Sequence, residues 1–320
     1  MRTYLVSFLM SLGISAMSTP AVLHLARRWQ LFDPPDGVRK IHIDPTPRMG
    51  GIAIAAGFLG PIIALLFVRN LFADELRHDI TRMAAFLLGM LTILGLGIYD
   101  DLRGCGAWSK LAVQTAVAVM LWQAGLRIET VSFSGVSYDL GLASLPLTIV
   151  WVAGIINAMN LIDGLDGLAA GVGFFAAVAL FSNALNDAVP LLALFATAIG
   201  GSLLGFLFYN FSPALIFMGD SGSMSIGYVF ATAALWSASK RSTALALLLP
   251  VLSLGLPVAD TIIAFTRRSL HGQSPFQSDR KHIHHRLLDL GLSQRQAVLV
   301  LYLVCGLLTG VAVLLRKYAF

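Results

Sequence analysis

Ten continuous apolar runs, each long enough to cross a bilayer, follow one another along the chain. They lie near residues 3–25, 49–68, 80–99, 109–124, 143–160, 168–185, 188–209, 215–236, 243–266 and 296–315. A hydrocarbon core about 30 Å thick takes roughly 20 apolar residues in helix. Only helices and closed barrels satisfy their own backbone in lipid. Barrel strands alternate in polarity, and these runs do not. Charged residues are 12% of the chain and hydrophobic ones 57%, against about 25% charged in soluble domains. The predicted fold is an all-α polytopic integral membrane protein, with residues 1–320 forming a single transmembrane domain. Its longest polar loop, 267–295, is too short to be a domain of its own. The segment from Met1 to Leu25 reads as a retained first helix, because no small-residue cleavage site follows it. Cys105 and Cys305 read as two unpaired thiols.

The loops divide into two unequal sets. Loops after the odd-numbered runs carry 13 of the 22 Lys and Arg. Positive loops stay in the cytoplasm, so both termini are predicted outside. The opposite face is ordinary except for Arg127 to Leu140, which alternates in polarity and is predicted to form a small outer hairpin around Ser134-Gly135. Every unusual polar cluster falls on the positive side: RKIHIDPTPRMGG (39–51), YDD (99–101), NLIDGLDG (160–167), NFSP (210–213), MGDSGS (218–223) and DRKHIHHR (279–286). Loops distant in sequence therefore meet at one membrane face. A transporter sets its polar residues near mid-helix, whereas these stand at helix ends. A cation-coupled transporter is the rival reading of a different class.

Residue types in the clusters point to a divalent cation and phosphates. Asp100 and Asp101 end a helix, where acids oppose the dipole, so a solvated helix end explains them poorly. Asn160, Asp163 and Asp166 repeat at intervals of three, near one face of a helical turn. Capping of the next helix accounts for Asp166 alone. Asp220 precedes an apolar helix and could cap it while also binding a cation. Hard oxygen ligands suit Mg²⁺ or Mn²⁺, and Mg²⁺ takes one or two carboxylates with substrate phosphate and water. Lys110 opens a helix, an unfavourable place for a cation unless an anion such as phosphate meets it. Lys40 and Arg48 flank a stiff Pro45-Thr46-Pro47 turn and read equally as phosphate ligands or as membrane anchors. His282, His284 and His285, beside Arg286, resemble a phosphate cradle more than a zinc site, since no Cys accompanies them. A plain basic loop that attracts anionic lipid is the simpler alternative.

In this order the motifs resemble the polyprenyl-phosphate N-acetylhexosamine-1-phosphate transferases, from RKIHIDPTPRMGG to HIHHR. Members that transfer phospho-N-acetylmuramoyl-pentapeptide usually carry three consecutive His. Here Ile283 interrupts the run, and Arg39-Lys40-Ile41-His42 precedes PTPRMGG. Both features resemble the branch that moves N-acetylglucosamine 1-phosphate from UDP-GlcNAc to undecaprenyl phosphate. The resemblance implies ten to eleven transmembrane helices in a bacterial inner membrane, with a cytoplasmic active site. It implies that Asp220 and Asn160 hold Mg²⁺ and that Asp100 and Asp101 lie near the acceptor phosphate. Asp163 and Asp166 would line the nucleotide side, with Asn210 and Phe217 near the uracil. Lys110, His284, His285 and Arg286 would bind phosphate or sugar, as would Lys40 and Arg48. The expected catalytic set is Asp100, Asp101, Asp163, Asp166 and His282. Expected partners are undecaprenyl phosphate, UDP-GlcNAc, the bilayer and a second copy in a homodimer, with no nucleic acid. Another UDP-N-acetylhexosamine, including the muramoyl-pentapeptide donor, is the alternative within the same chemistry.

Overall fold

The structure is a computed structural model that describes residues 1–33, 46–67, 79–133, 136–240, 254–270 and 283–318. Lys40, His282 and the Ser134-Gly135 turn lie outside the described residues. The helices are α1 (Arg2–Arg28), α2 (Gly50–Leu66), α3 (Ile80–Arg103), α4 (Ala107–Gln123), α5 (Ser144–Ile162) and α6 (Leu168–Asn186). They continue with α7 (Pro190–Asn210), α8 (Gly219–Lys240), α9 (Gly255–Leu270), α10 (Ile283–Asp289) and α11 (Gln294–Tyr318). Each of the ten apolar runs carries one of these helices, and the short α10 is an addition. The protein is an all-α polytopic membrane protein. Six of the described helices are long and apolar enough to cross a membrane by themselves, and α2 is a shorter apolar helix.

The eighth run carries a polar insert that leaves its helix start open between 215 and about Ser223. α8 starts at Gly219, because residues 211–218 form an irregular loop around Pro213. The ninth run is described only from residue 254, and Pro257 sits in the first turn of α9, where a missing N–H does no harm. The hairpin expected between Arg127 and Leu140 is present as β3 (Thr130–Phe133) against β4 (Val136–Asp139), with Thr130 opposite Asp139. A shorter pair, β1 (Phe32–Asp33) and β2 (Thr46–Pro47), sits between α1 and α2.

α7 and α8 form the centre. Most of the apolar window of α7 is buried, 78%, against 28% for α1. An aromatic cluster joins four helices here. Phe86 of α3 stacks on Phe195 of α7 with centroids 4.9 Å apart, and Phe58, Tyr228 and Trp236 pack around them. Tyr228 also donates its hydroxyl to the Phe86 carbonyl at 2.8 Å. α1 docks by another device. Ser7, Ser11, Ser15 and Thr19 make a buried stripe at every fourth residue. Opposite it, a Cβ added at Gly201 would lie 2.3 Å from the Phe8 carbonyl oxygen, and one at Gly205 would lie 2.4 Å from that of Leu12. In lipid, where tails are as apolar as leucine, close backbone approach between small residues is what holds helices together.

Candidate active site

The site is assembled around the start of α8. The backbone of 47–51 runs beside that of 217–218: Phe217 N–H donates to Pro47 O at 2.8 Å, Gly50 N–H to Phe217 O at 3.0 Å, and Gly51 N–H to Met218 O at 2.9 Å. Packing is closest at Gly51, where a Cβ would fall 2.1 Å from the Gly222 nitrogen. Gly97 of α3 is similar, its Cβ position lying 2.4 Å from Ser221 Cα. These absent side chains bring α2 and α3 against the first turn of α8.

Asp101 exploits that closeness. Its Oδ1 accepts the Asp220 N–H at 2.8 Å and its Oδ2 accepts the Ser221 N–H at 3.1 Å. The first N–H groups of a helix lack intrahelical partners, and a carboxylate is well placed at the positive end of the dipole. Asp101 therefore caps α8 from a different helix. The expectation that Asp220 caps its own helix is corrected. Asp220 lies inside the first turn, and its carboxylate points to Lys110 instead.

Lys110 lies between two carboxylates. Its Nζ donates to Asp100 Oδ2 at 2.9 Å and also to Asp220 Oδ2. All three side chains are mostly buried, at 14–25% exposure. The anion that offsets the cation at the start of α4 is thus this acidic pair; a phosphate is not required to explain its position.

Asn160 is on the last turn of α5 and donates Nδ2–H to Ser223 Oγ of α8 at 2.9 Å. α5 ends at Ile162, so Asp163 and Asp166 stand in the following turn and not on a shared helical face as the spacing suggested. Nor does Asp166 cap α6. Its Oδ2 accepts the Ala214 N–H at 3.0 Å, tying the 163–167 turn to the 211–218 loop. Asn210 strengthens the same tie while buried: Oδ1 accepts the Gly167 N–H at 3.1 Å, and Nδ2–H donates to Ile216 O at 2.9 Å. Its amide is engaged at both ends within the protein. Phe217 is half-buried in the same loop. Asp163 is half-buried. Burial raises its carboxyl, the negative charges of Asp220, Asp101 and Asp166 raise it further, and Arg48 opposes them, leaving it pushed up to about 8.

The His–Arg motif arrives on α10. His284 is buried, and a Cβ on Gly164 would stand 2.6 Å from its Nε2, so the ring rests on the bare backbone of the Asp163 turn. The His285 ring is 4.4 Å from that of His284, and Arg286 is exposed. Two polar residues that sequence reasoning passed over also act here. Ser223 receives Asn160, and buried Asp260 of α9 accepts the Ile283 N–H at 3.0 Å. A lone carboxylate inside an apolar run was the available signal for Asp260.

Among the described residues, no three His, Cys, Asp or Glu side chains converge into a closed metal cage. The donors at the start of α8 are oxygens, and Lys110 bridges Asp100 and Asp220 as a cation would. Burial first, and then the nearby carboxylates of Asp220, Asp101 and Asp166, raise Asp163. This donor set fits a hard divalent ion that takes few protein ligands and completes its shell with phosphate and water.

Comparison with known proteins gives the family. A family profile described as glycosyl transferase family 4 matches residues 83–238, a span that holds Asp100, Asp101, Lys110, Asn160, Asp163, Asp166 and Asp220. The chain is 38% identical to a probable undecaprenyl-phosphate N-acetylglucosaminyl 1-phosphate transferase of Bacillus subtilis, over 98% of this chain and 85% of that protein. It is 37% identical to a decaprenyl-phosphate N-acetylglucosaminephosphotransferase of Mycobacterium tuberculosis, over 84% of this chain and 72% of that one. A phospho-N-acetylmuramoyl-pentapeptide-transferase of Halalkalibacterium halodurans is 31% identical, over 99% and 98% respectively.

Proposed function

The chain belongs to glycosyl transferase family 4 as a polyprenyl-phosphate N-acetylhexosamine-1-phosphate transferase, and on that premise we propose that it moves N-acetylglucosamine 1-phosphate from UDP-GlcNAc to undecaprenyl phosphate. A phosphate oxygen of the lipid attacks the β-phosphorus of the donor. The bond from that phosphorus to the bridging oxygen breaks, and UMP leaves with the oxygen. The products are undecaprenyl-diphosphate-GlcNAc and UMP, a first membrane step for a surface glycan such as teichoic acid or O-antigen. The observation that carries the reading is the Asp100–Lys110–Asp220 linkage at a helix start capped by Asp101. The higher identity to the two N-acetylglucosamine enzymes than to the muramoyl-pentapeptide enzyme supports the choice of sugar.

Asp220 and Asn160 are assigned to Mg²⁺, with Mn²⁺ as substitute; when bound, the ion neutralises charge on the donor diphosphate and makes its phosphorus more electrophilic. Lys110 turns from the carboxylates toward phosphate, supplying a fixed positive charge where negative charge develops. Asp100 stays beside it and orients the acceptor end. No strong base is required, since a phosphate monoester is largely ionised near pH 7, and positioning carries much of the barrier reduction. Asp163 and the 163–167 turn face the nucleotide, with Phe217 beside the uracil. Asp166 and Asn210 hold that wall in shape. His284, His285 and Arg286 approach the diphosphate or the sugar, and Arg48 tempers the charge of Asp163. The 13 basic residues of the motif-bearing loops support a site facing the cytoplasm of a bacterial cell, with both termini outside.

Protein purified in detergent is expected to release UMP from UDP-GlcNAc only when undecaprenyl phosphate and Mg²⁺ are both present, and Asp220→Ala is expected to abolish that release while remaining folded. UMP from UDP-MurNAc-pentapeptide but not from UDP-GlcNAc would move the assignment to the other branch. Release from neither donor would overturn the reading.

A further inference from the structure

Asp260 is the one acidic residue of the apolar run 243–266, and it is buried at 7% exposure. A carboxylate in an apolar helix is costly and implies a partner. One partner is at the start of another helix: Asp260 Oδ1 accepts the backbone N–H of Ile283, the first residue of α10, at 3.0 Å. An orphan helix N–H meeting a carboxylate from outside is a cap, favoured also by the dipole.

What the cap holds is specific. One residue beyond Ile283, His284 is buried against Gly164, where a Cβ would lie 2.6 Å from its Nε2. Gly164 follows Asp163, and α9 itself packs against α5, the helix that ends at this turn. α9 also meets α11, whose Tyr302 donates to the Gly167 carbonyl at 2.6 Å. The seven residues of α10 are too few to hold a helix by propagation alone. They need external contacts, and Asp260 supplies one at the end where His284 and His285 begin.

We propose that Asp260 is a positioning residue for donor binding: it anchors the start of α10 so that His284, His285 and Arg286 face the site across the Asp163 turn. The proposal rests on the transferase reading for what those side chains bind, but the anchoring itself does not.

Two measurements separate these parts. Hydrogen exchange on the full-length protein reads the anchor without substrate. In Asp260→Ala the peptide covering 283–290 is expected to lose protection while α11 keeps its own. Asp260→Asn retains an acceptor oxygen and is expected to restore it. Steady-state kinetics reads the consequence. Asp260→Ala is expected to raise KM for UDP-GlcNAc roughly tenfold, the order of effect of a lost cap, with KM for undecaprenyl phosphate unchanged. Asp260→Asn is expected to stay within about twofold of the parent. Unchanged exchange at 283–290 in Asp260→Ala overturns the proposal. So does an equal change in KM for both substrates, which is what general loosening produces. If the parent protein releases no UMP at all, the transferase reading fails, and the exchange result still decides the anchor.

Discussion

Asp100 and Asp101 are adjacent carboxylates that the structure gives different duties, and exchanging each for its amide separates them. Both oxygens of Asp101 accept backbone N–H groups at the start of α8, at 2.8 and 3.1 Å. An amide oxygen at this position can accept only one of them, and its NH₂ group then faces the other donor. The loss is one hydrogen bond to a charged acceptor, about 1.5–3 kcal/mol, together with the favourable charge at the helix start, about 0.3–1 kcal/mol. Asp101→Asn is therefore expected to lower folding stability by roughly 2–4 kcal/mol and to reduce turnover partially, as Asp220 drifts from Lys110. Among the described residues Asp100 makes no such backbone contact, and its Oδ2 meets Lys110. Asp100→Asn is expected to leave the melting temperature nearly unchanged while reducing turnover by a factor of about 100 or more, the scale for a lost electrostatic partner in a reaction centre. The assay is UMP release alongside thermal unfolding in the same detergent. An Asp101→Asn protein that melts like the parent but turns over nothing would refute the capping argument and make Asp101 a reacting group.

Two further outcomes follow from the same geometry. Asp163 is pushed up to about 8 by burial and by the charges of Asp220, Asp101 and Asp166; its folded value lies above the unfolded one, so ionising it removes stability as pH rises from about 4 to about 8. Ionised Asp163 adds negative charge beside the Asp220–Asn160 site, so Mg²⁺ affinity is expected to rise from pH 6.5 to 8.5, with part of a proton released per ion in titration calorimetry at pH 7; an affinity flat over that range would refute the ionisation of Asp163 within it. Gly164→Ala places a Cβ 2.6 Å from His284 Nε2, a distance that displaces the ring; turnover is expected to fall about tenfold or more, as for a misplaced site group, with little change in melting temperature, and normal turnover would show that the ring position is immaterial.

The all-helical membrane class and the meeting of polar motifs from distant loops were legible in the sequence because both depend on local properties. A run of apolar residues must become helix in lipid whatever surrounds it, and an even alternation of loops puts every second loop on the same face. The residue types near α8 also declared themselves, since carboxylates and lysines at helix ends are expensive without a use. Sequence spacing misled where it assumed that a local partner serves each residue. It allowed Asp220 to cap its own helix, gave Asp163 and Asp166 a shared helical face, and offered Lys110 no partner within the chain. The cap comes from Asp101, 119 positions away along the chain. α5 stops before Asp163, and Lys110 is answered by Asp100 and Asp220.

Hydropathy determined that this chain is a bundle of membrane helices, because the cost of an unpaired backbone in lipid is the same at every position. Which helices touch was decided only in three dimensions. The Ser7–Thr19 stripe meets Gly201 and Gly205, Gly51 and Gly97 admit α8, and Asp260 reaches Ile283. Such pairings depend on close approach of backbones between segments far apart in the chain, and a glycine or serine looks the same in sequence whether or not another helix lies against it.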